Sequence, residues 1–140
     1  MKPNPELARF SWAIYDLANT IFSMNIVSLY FVLWLTVDKG CPELYYSLAI
    51  SGSVFFAALL MPIVGEISDR TKRRMPFLIG FTLGCVFLTA MLGLVKGVFP
   101  ALLFFAAANF CYQLAGVIYN SLLSQVSTAE GLGRTSGLGV

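Results

Sequence analysis

Four long apolar segments, separated by short polar segments, dominate the hydropathy pattern of the chain. They lie at about residues 10–37, 44–64, 76–95 and 101–123. Crossing the hydrocarbon core of a bilayer, which is roughly 30 Å thick, takes about 20 residues of helix. The segments are too long and too uniformly apolar for the alternating strands of a membrane barrel. The pattern therefore predicts an all-α integral membrane protein with four transmembrane helices.

The composition agrees with a membrane location. Of the 140 residues, 58% are hydrophobic and 11% are charged, whereas a soluble domain carries about 25% charged residues. The net charge of +2 is small and the cations lie between the apolar segments. We therefore expect the lipid bilayer as a partner and no nucleic acid. The absence of histidine excludes Ser–His, Cys–His and His–metal sites, and the three cysteines have no metal-site spacing. We expect no metal, no cofactor and no enzyme activity.

The distribution of lysine and arginine predicts the orientation. Two cations, Lys39 and Lys96, lie in the connections on one side of the predicted bundle. Seven lie on the other side, namely Lys2, Arg9, Arg70, Lys72, Arg73, Arg74 and Arg134. Because cytoplasmic segments of membrane proteins carry the excess of cations, we expect the N-terminus, the loop at residues 65–74 and the C-terminal tail to be cytoplasmic.

Polar side chains recur at helical spacing in the first and the fourth predicted helix. Facing lipid, each unsatisfied polar group would cost several kcal/mol. The two polar faces must therefore contact each other in a hydrogen-bonded seam or line a water-filled cavity. We favour a cavity, because the faces combine amides, hydroxyls and an ionisable group. The candidate cavity residues are Asp16, Asn19, Ser23, Asn109, Tyr112, Gln113 and Asn120.

Asp16 is the one ionisable residue clearly inside a predicted span. Such residues are costly in a membrane and indicate a function by default. One interpretation is a carboxyl that couples transport to protons or contacts a solute. The other is a carboxyl at the start of a helix, hydrogen-bonded to Asn19 or to a neighbouring helix. Tyr15, beside it, is one of several aromatic residues near span ends, where they commonly act as interfacial anchors.

Three stretches resemble a known family. Gly65-x-Ile67-x-Asp69-Arg70-x-x-Arg73-Arg74 resembles the cytoplasmic loop signature of the major facilitator superfamily, with Lys72 where that signature has glycine. Residues 10–22 are similar to the first helix of the branch that contains the vacuolar amino-acid effluxers and their bacterial relatives. Residues 119–123, Tyr-Asn-Ser-Leu-Leu, are similar to the end of the fourth helix in that branch.

The resemblance implies a twelve-helix transporter that alternates access around a central cavity lined by the first and fourth helices. It also implies a gating loop, formed here by Gly65, Asp69, Arg70, Arg73 and Arg74. Asp69 would lie against a helix N-terminus in the other half of the protein. The arginines would make charged contacts that hold the outward-facing state. They would also set the topology.

The length of the chain suffices for four helices of the expected twelve. We therefore expect an N-terminal fragment, inactive alone, whose partners are a small-molecule solute and the missing C-terminal helices of the same protein. Residues 124–140 are predicted to form a cytoplasmic loop and the start of a fifth helix. The predicted function is secondary transport of a small polar solute, such as an amino acid. Two alternatives remain, a small homodimeric four-helix exporter and a membrane scaffold subunit that transports nothing.

Overall fold

The computed structural model describes residues 5–71 and 74–126, and over these residues the chain forms four long helices. The first, α1, is continuous over residues 5–38. The other three are α2 (Glu43–Thr71), α3 (Arg74–Leu94) and α4 (Val98–Val126). Each contains a segment long and apolar enough to cross a membrane. These segments are Ala13–Asp38, Glu43–Ser68, Arg74–Leu94 and Val98–Leu122.

Helix α1 is not a regular α-helix along its whole length. Pro5–Ile21 and Phe31–Leu33 are α-helical, whereas Phe22–Tyr30 and Trp34–Asp38 form wider π-helical turns. In these turns an N–H group bonds the carbonyl five residues earlier, as Lys39 does with Trp34 at 3.1 Å. A π-helical turn takes more residues than an α-helical turn. Side chains after Ile21 therefore depart from the α-helical spacing that the sequence pattern assumes.

Helix α2 extends beyond the apolar segment that predicted it. The stretch expected as a loop over residues 65–74 is helical as far as Thr71, and helix resumes at Arg74. Glu66 and Arg70 form an ion pair of 2.7 Å one turn apart on this extension, and such pairs support a helix. Charged side chains in water do not interrupt backbone hydrogen bonding, so the helix continues past the apolar residues.

Helix α4 is the central element of the bundle and packs against α2, α3 and α1. Phe105, which is 0% exposed, stacks on Phe31 of α1 with ring centroids 4.1 Å apart. Tyr46 of α2 contacts the same phenylalanine and donates a hydrogen bond of 2.7 Å to the carbonyl of Val27 in α1. Nearer the C-terminal end of α4, the buried side chains of Ala115, Ile118, Tyr119 and Leu122 form a cluster with Leu78 of α3. Three helices thus surround the fourth.

The outer surfaces of the bundle are apolar. Large hydrophobic side chains are exposed along α1, α2 and α3, and at the start of α4. In water such surfaces would be unfavourable, whereas lipid accommodates them. The exposure pattern therefore fits helices that contact lipid or further protein inside a membrane.

Candidate functional site

A cavity of about 310 Å³ lies between α1 and α4. Met61 supplies its wall from α2, and the remaining lining is mostly polar. Five of the seven predicted cavity residues line it. Its lining consists of Asp16, Asn19, Thr20, Met61, Tyr112, Gln113, Gly116, Val117, Tyr119 and Asn120.

The Asp16 carboxyl is the acidic group of this cavity. The hydroxyl-bearing residues Thr20, Tyr112 and Tyr119 line the cavity with it. Asn19, Gln113 and Asn120 add amide groups that donate as well as accept. No lysine or arginine is among the lining residues that the structure describes. The arrangement can therefore bind a small solute with hydrogen-bonding groups, and its carboxyl favours a cationic group on that solute.

Ser23 does not line this cavity. It lies one residue into the π-helical segment that begins at Phe22. The wider turn changes the angular position of the residues that follow Ile21. The seven-residue spacing from Asp16 to Ser23 therefore does not place both side chains on the cavity, as it would in an unbroken α-helix.

Asn109 lies in a hydrogen-bonded seam between α4 and α2. Its side chain is 1% exposed, and its Nδ2 donates to the Ser53 hydroxyl at 2.8 Å. Ser53 in turn donates to the carbonyl of Ile50 at 2.8 Å. Hydrogen bonds of this kind join transmembrane helices. The polar face of α4 thus contains both a seam residue and cavity residues.

Two aromatic pairs connect α1 to α4 on either side of Asn19. Tyr15 stacks on Tyr119 with centroids 4.9 Å apart, and Phe22 contacts Tyr112 at 5.1 Å. Tyr15, expected as an interfacial anchor, is half-buried, and its hydroxyl lies 2.9 Å from Thr82 Oγ1 of α3. Tyr119 belongs to the family-like stretch at residues 119–123 but was not predicted as a cavity residue, although it follows Tyr112 by two helical turns on the same helix face.

The predicted gating residues occupy the junction of α2 and α3. Gly65 and Arg70 belong to the helical extension of α2. Arg74 is the first residue of α3, and its Nη1 donates to the backbone carbonyl of Ser121 in α4 at 2.6 Å. This bond joins the start of α3 to the C-terminal part of α4. The Asp69 side chain and Arg73 lie outside the described residues.

No metal site is evident in the part of the chain that the structure describes. Within residues 5–71 and 74–126, no group of three histidine, cysteine, aspartate or glutamate residues could hold an ion. The fold and the cavity together define a class, namely helical integral membrane proteins with a polar cavity between their spans.

Comparison with known families narrows this class to one. The family model described as Major Facilitator Superfamily matches residues 2–140. The chain belongs to this superfamily. Its four apolar helices form part of an all-α membrane fold.

Two relatives are similar to the chain over nearly its whole length. An uncharacterized protein of Aquifex aeolicus strain VF5 is 32% identical over 139 residues, which are 99% of this chain and 35% of that protein. An uncharacterized MFS-type transporter, YxiO of Bacillus subtilis strain 168, is 28% identical over 140 residues, with 92% of this chain and 32% of that protein covered. The chain thus spans about a third of the length of these relatives. No solved structure matches.

Proposed function

We propose that this chain forms part of a secondary transporter that moves a small polar solute across the membrane by alternating access. The observation that supports the proposal is the polar cavity between α1 and α4, with Asp16 in its wall. Membership in the superfamily favours transport over the scaffold and small-exporter alternatives. Further helices of the same protein would complete the cavity, since both relatives are about three times as long as the matched region.

We propose an amino acid as the solute. An amino acid carries a cationic ammonium group that the Asp16 carboxyl can bind, together with further groups for the amides of Asn19, Gln113 and Asn120. The resemblance of residues 10–22 to the amino-acid effluxer branch supports the same class of solute.

In the proposed orientation the N-terminus and residues 65–74 are cytoplasmic, because most cations lie on that side.

Cysteine accessibility tests for a water-filled cavity. The protein is expressed from its complete gene with Cys41, Cys85 and Cys111 replaced by alanine, and a single cysteine is then introduced. We expect Asn120→Cys to react with a charged methanethiosulfonate reagent, because Asn120 is exposed in the cavity wall. Asn109→Cys is the matched control on the same helix, and it should stay unmodified because the position is buried. Protection of both cysteines in folded protein would support a packed scaffold instead.

The proposed gate depends on Asp69. As a proposal from the loop signature, Asp69 contacts a helix N-terminus elsewhere in the protein, where a carboxylate is favoured by the helix dipole. We expect Asp69→Asn to lower uptake of radiolabelled amino acids into proteoliposomes roughly five-fold, because a contact of about 1 kcal/mol would be lost from one conformation only. Membrane insertion should remain normal. Glu43→Gln, an exposed carboxylate at the other end of α2, is the control. Unchanged flux in Asp69→Asn would rule out the gate.

A further inference from the structure

We propose that Tyr46 of α2 is a positioning residue for the polar cavity. Its hydrogen bond to α1 stabilises the π-helical segment Phe22–Tyr30, and the helical form of this segment determines which side chains of α1 face the cavity. This inference rests on the proposed function, because it concerns how the solute cavity is assembled. Tyr46 does not itself line the cavity, so it acts through α1.

The π-helical segment turns the second half of α1 relative to the first half. The interval from Asp16 to Trp34 corresponds to about five whole turns of an α-helix, so both side chains would point in the same direction if α1 were α-helical throughout. In the structure, Asp16 lines the cavity between α1 and α4, whereas Trp34 lines a groove between α1 and α3. The residues after the segment are therefore rotated from the cavity face toward α3.

A backbone hydrogen bond shows how the segment differs from an α-helix at Val27. The N–H group of Phe31 donates to the carbonyl of Ile26, five residues earlier. In an α-helix the same N–H group would donate to the carbonyl of Val27, four residues earlier. The Tyr46 hydroxyl donates to the Val27 carbonyl at 2.7 Å. Tyr46 therefore gives this carbonyl a donor in place of the one that an α-helix would provide.

The surroundings of Tyr46 hold its hydroxyl at this carbonyl. Its ring contacts the rings of Phe105 and Phe31, whose centroids are 5.5 Å and 6.3 Å away. Val27 is buried, so water has little access to its carbonyl. A carbonyl without a donor inside a membrane costs free energy. The bond from Tyr46 therefore favours the π-helical form over the α-helical form, in which the carbonyl needs no side-chain donor.

Two further side-chain hydrogen bonds lie within the segment. Asn25 Nδ2 donates to the carbonyl of Ile21 at 3.0 Å, and the Ser28 hydroxyl donates to the carbonyl of Ser23 at 3.0 Å. Both donors belong to α1 and move with it, so they do not set its rotation relative to the rest of the bundle. Tyr46 belongs to α2, and its bond therefore fixes the segment relative to a second helix.

The variant Tyr46→Phe tests the role, because it removes the hydroxyl and keeps the ring. In an α-helical segment, position 23 lies about two turns from Asp16 on the cavity face. A single Ser23→Cys, in the complete protein with its native cysteines replaced by alanine, therefore reports the α-helical form through its reaction with a charged methanethiosulfonate reagent. We expect Tyr46→Phe to raise this reaction rate roughly five-fold, because loss of one hydrogen bond shifts the populations of the two forms by about that factor.

Two controls separate this rotation from a general loosening of the bundle. Thr20→Cys lies on the cavity wall before the π-helical segment begins, so its reaction rate should stay the same in Tyr46→Phe. Tyr45→Phe removes a hydroxyl from the exposed neighbouring residue and should change neither rate.

An unchanged rate at Ser23→Cys in Tyr46→Phe, with Thr20→Cys reactive, would overturn the positioning role and leave the proposed function intact. Equal increases at both positions would indicate loosened packing and would also overturn the positioning role. If Thr20→Cys stayed protected in every variant, the cavity would not be water-filled, and both the proposed function and the role of Tyr46 would be wrong.

Discussion

Replacing Asp16 by asparagine is expected to abolish proton dependence of uptake while leaving the protein folded and inserted, because we propose that this carboxyl couples transport to protons. The amide keeps the size of the carboxyl, so the packing of α1 on α4 should be preserved. Unlike the carboxyl, the amide of asparagine cannot bind and release a proton during transport. Uptake of radiolabelled amino acids should become the same with and without an imposed pH gradient, a change on the order of ten-fold or more if the carboxyl supplies the coupling.

The matched control for this experiment is Asp38→Asn. Asp38 is on the same helix, at its opposite end, and its side chain is exposed. Removing that charge should leave proton dependence unchanged. If Asp16→Asn also retained proton dependence, Asp16 would not be the coupling group, and its role would be to bind the solute or to serve as a carboxyl at the start of a helix. The coupling group would then have to lie elsewhere in the protein.

Truncating Phe105 to alanine should cause the largest loss of stability among single substitutions in the bundle. Its ring is 0% exposed and contacts α1 through Phe31 and α2 through Tyr46. Removing a fully buried phenylalanine typically lowers the free energy of unfolding by about 3–5 kcal/mol, because the cavity fills only partly. Packing contacts of this kind are a main source of helix association in membranes.

The loss can be measured as a lower melting temperature of the purified protein in detergent. Phe99→Ala is the matched control, since Phe99 is on the same helix and is 73% exposed. We expect little change for it. Equal melting temperatures for the two variants would contradict the central position of Phe105 between α1 and α2.

The sequence predicted the elements that depend on hydropathy and on regular helical spacing. Four helices occur where the apolar segments lie. Asn19, Tyr112, Gln113 and Asn120 line one cavity with Asp16, because the polar faces of two regular stretches of helix meet there. In these stretches the period of 3.6 residues holds, so spacing along the chain translates directly into position around the axis.

The remaining features depend on contacts that spacing does not encode. The π-helical turns after Ile21 moved Ser23 away from the cavity, and no local residue pattern announces such turns. Asn109 lies on the polar face of α4, but at its level a serine of α2 approaches closely and forms a seam. Helix α2 continued to Thr71, because hydropathy marks the boundary of the bilayer and not the end of a helix.

The central position of α4 has a consequence for how this bundle is made. A ribosome synthesises α1, α2 and α3 before the helix on which all three pack. The partners in the Asn109–Ser53 bond are 56 positions apart along the chain, and α4 supplies the later one. Until translation reaches α4, the hydroxyl of Ser53 lacks its α4 partner. The first three spans therefore have to wait at the insertion machinery, or in lipid, for their common partner to emerge.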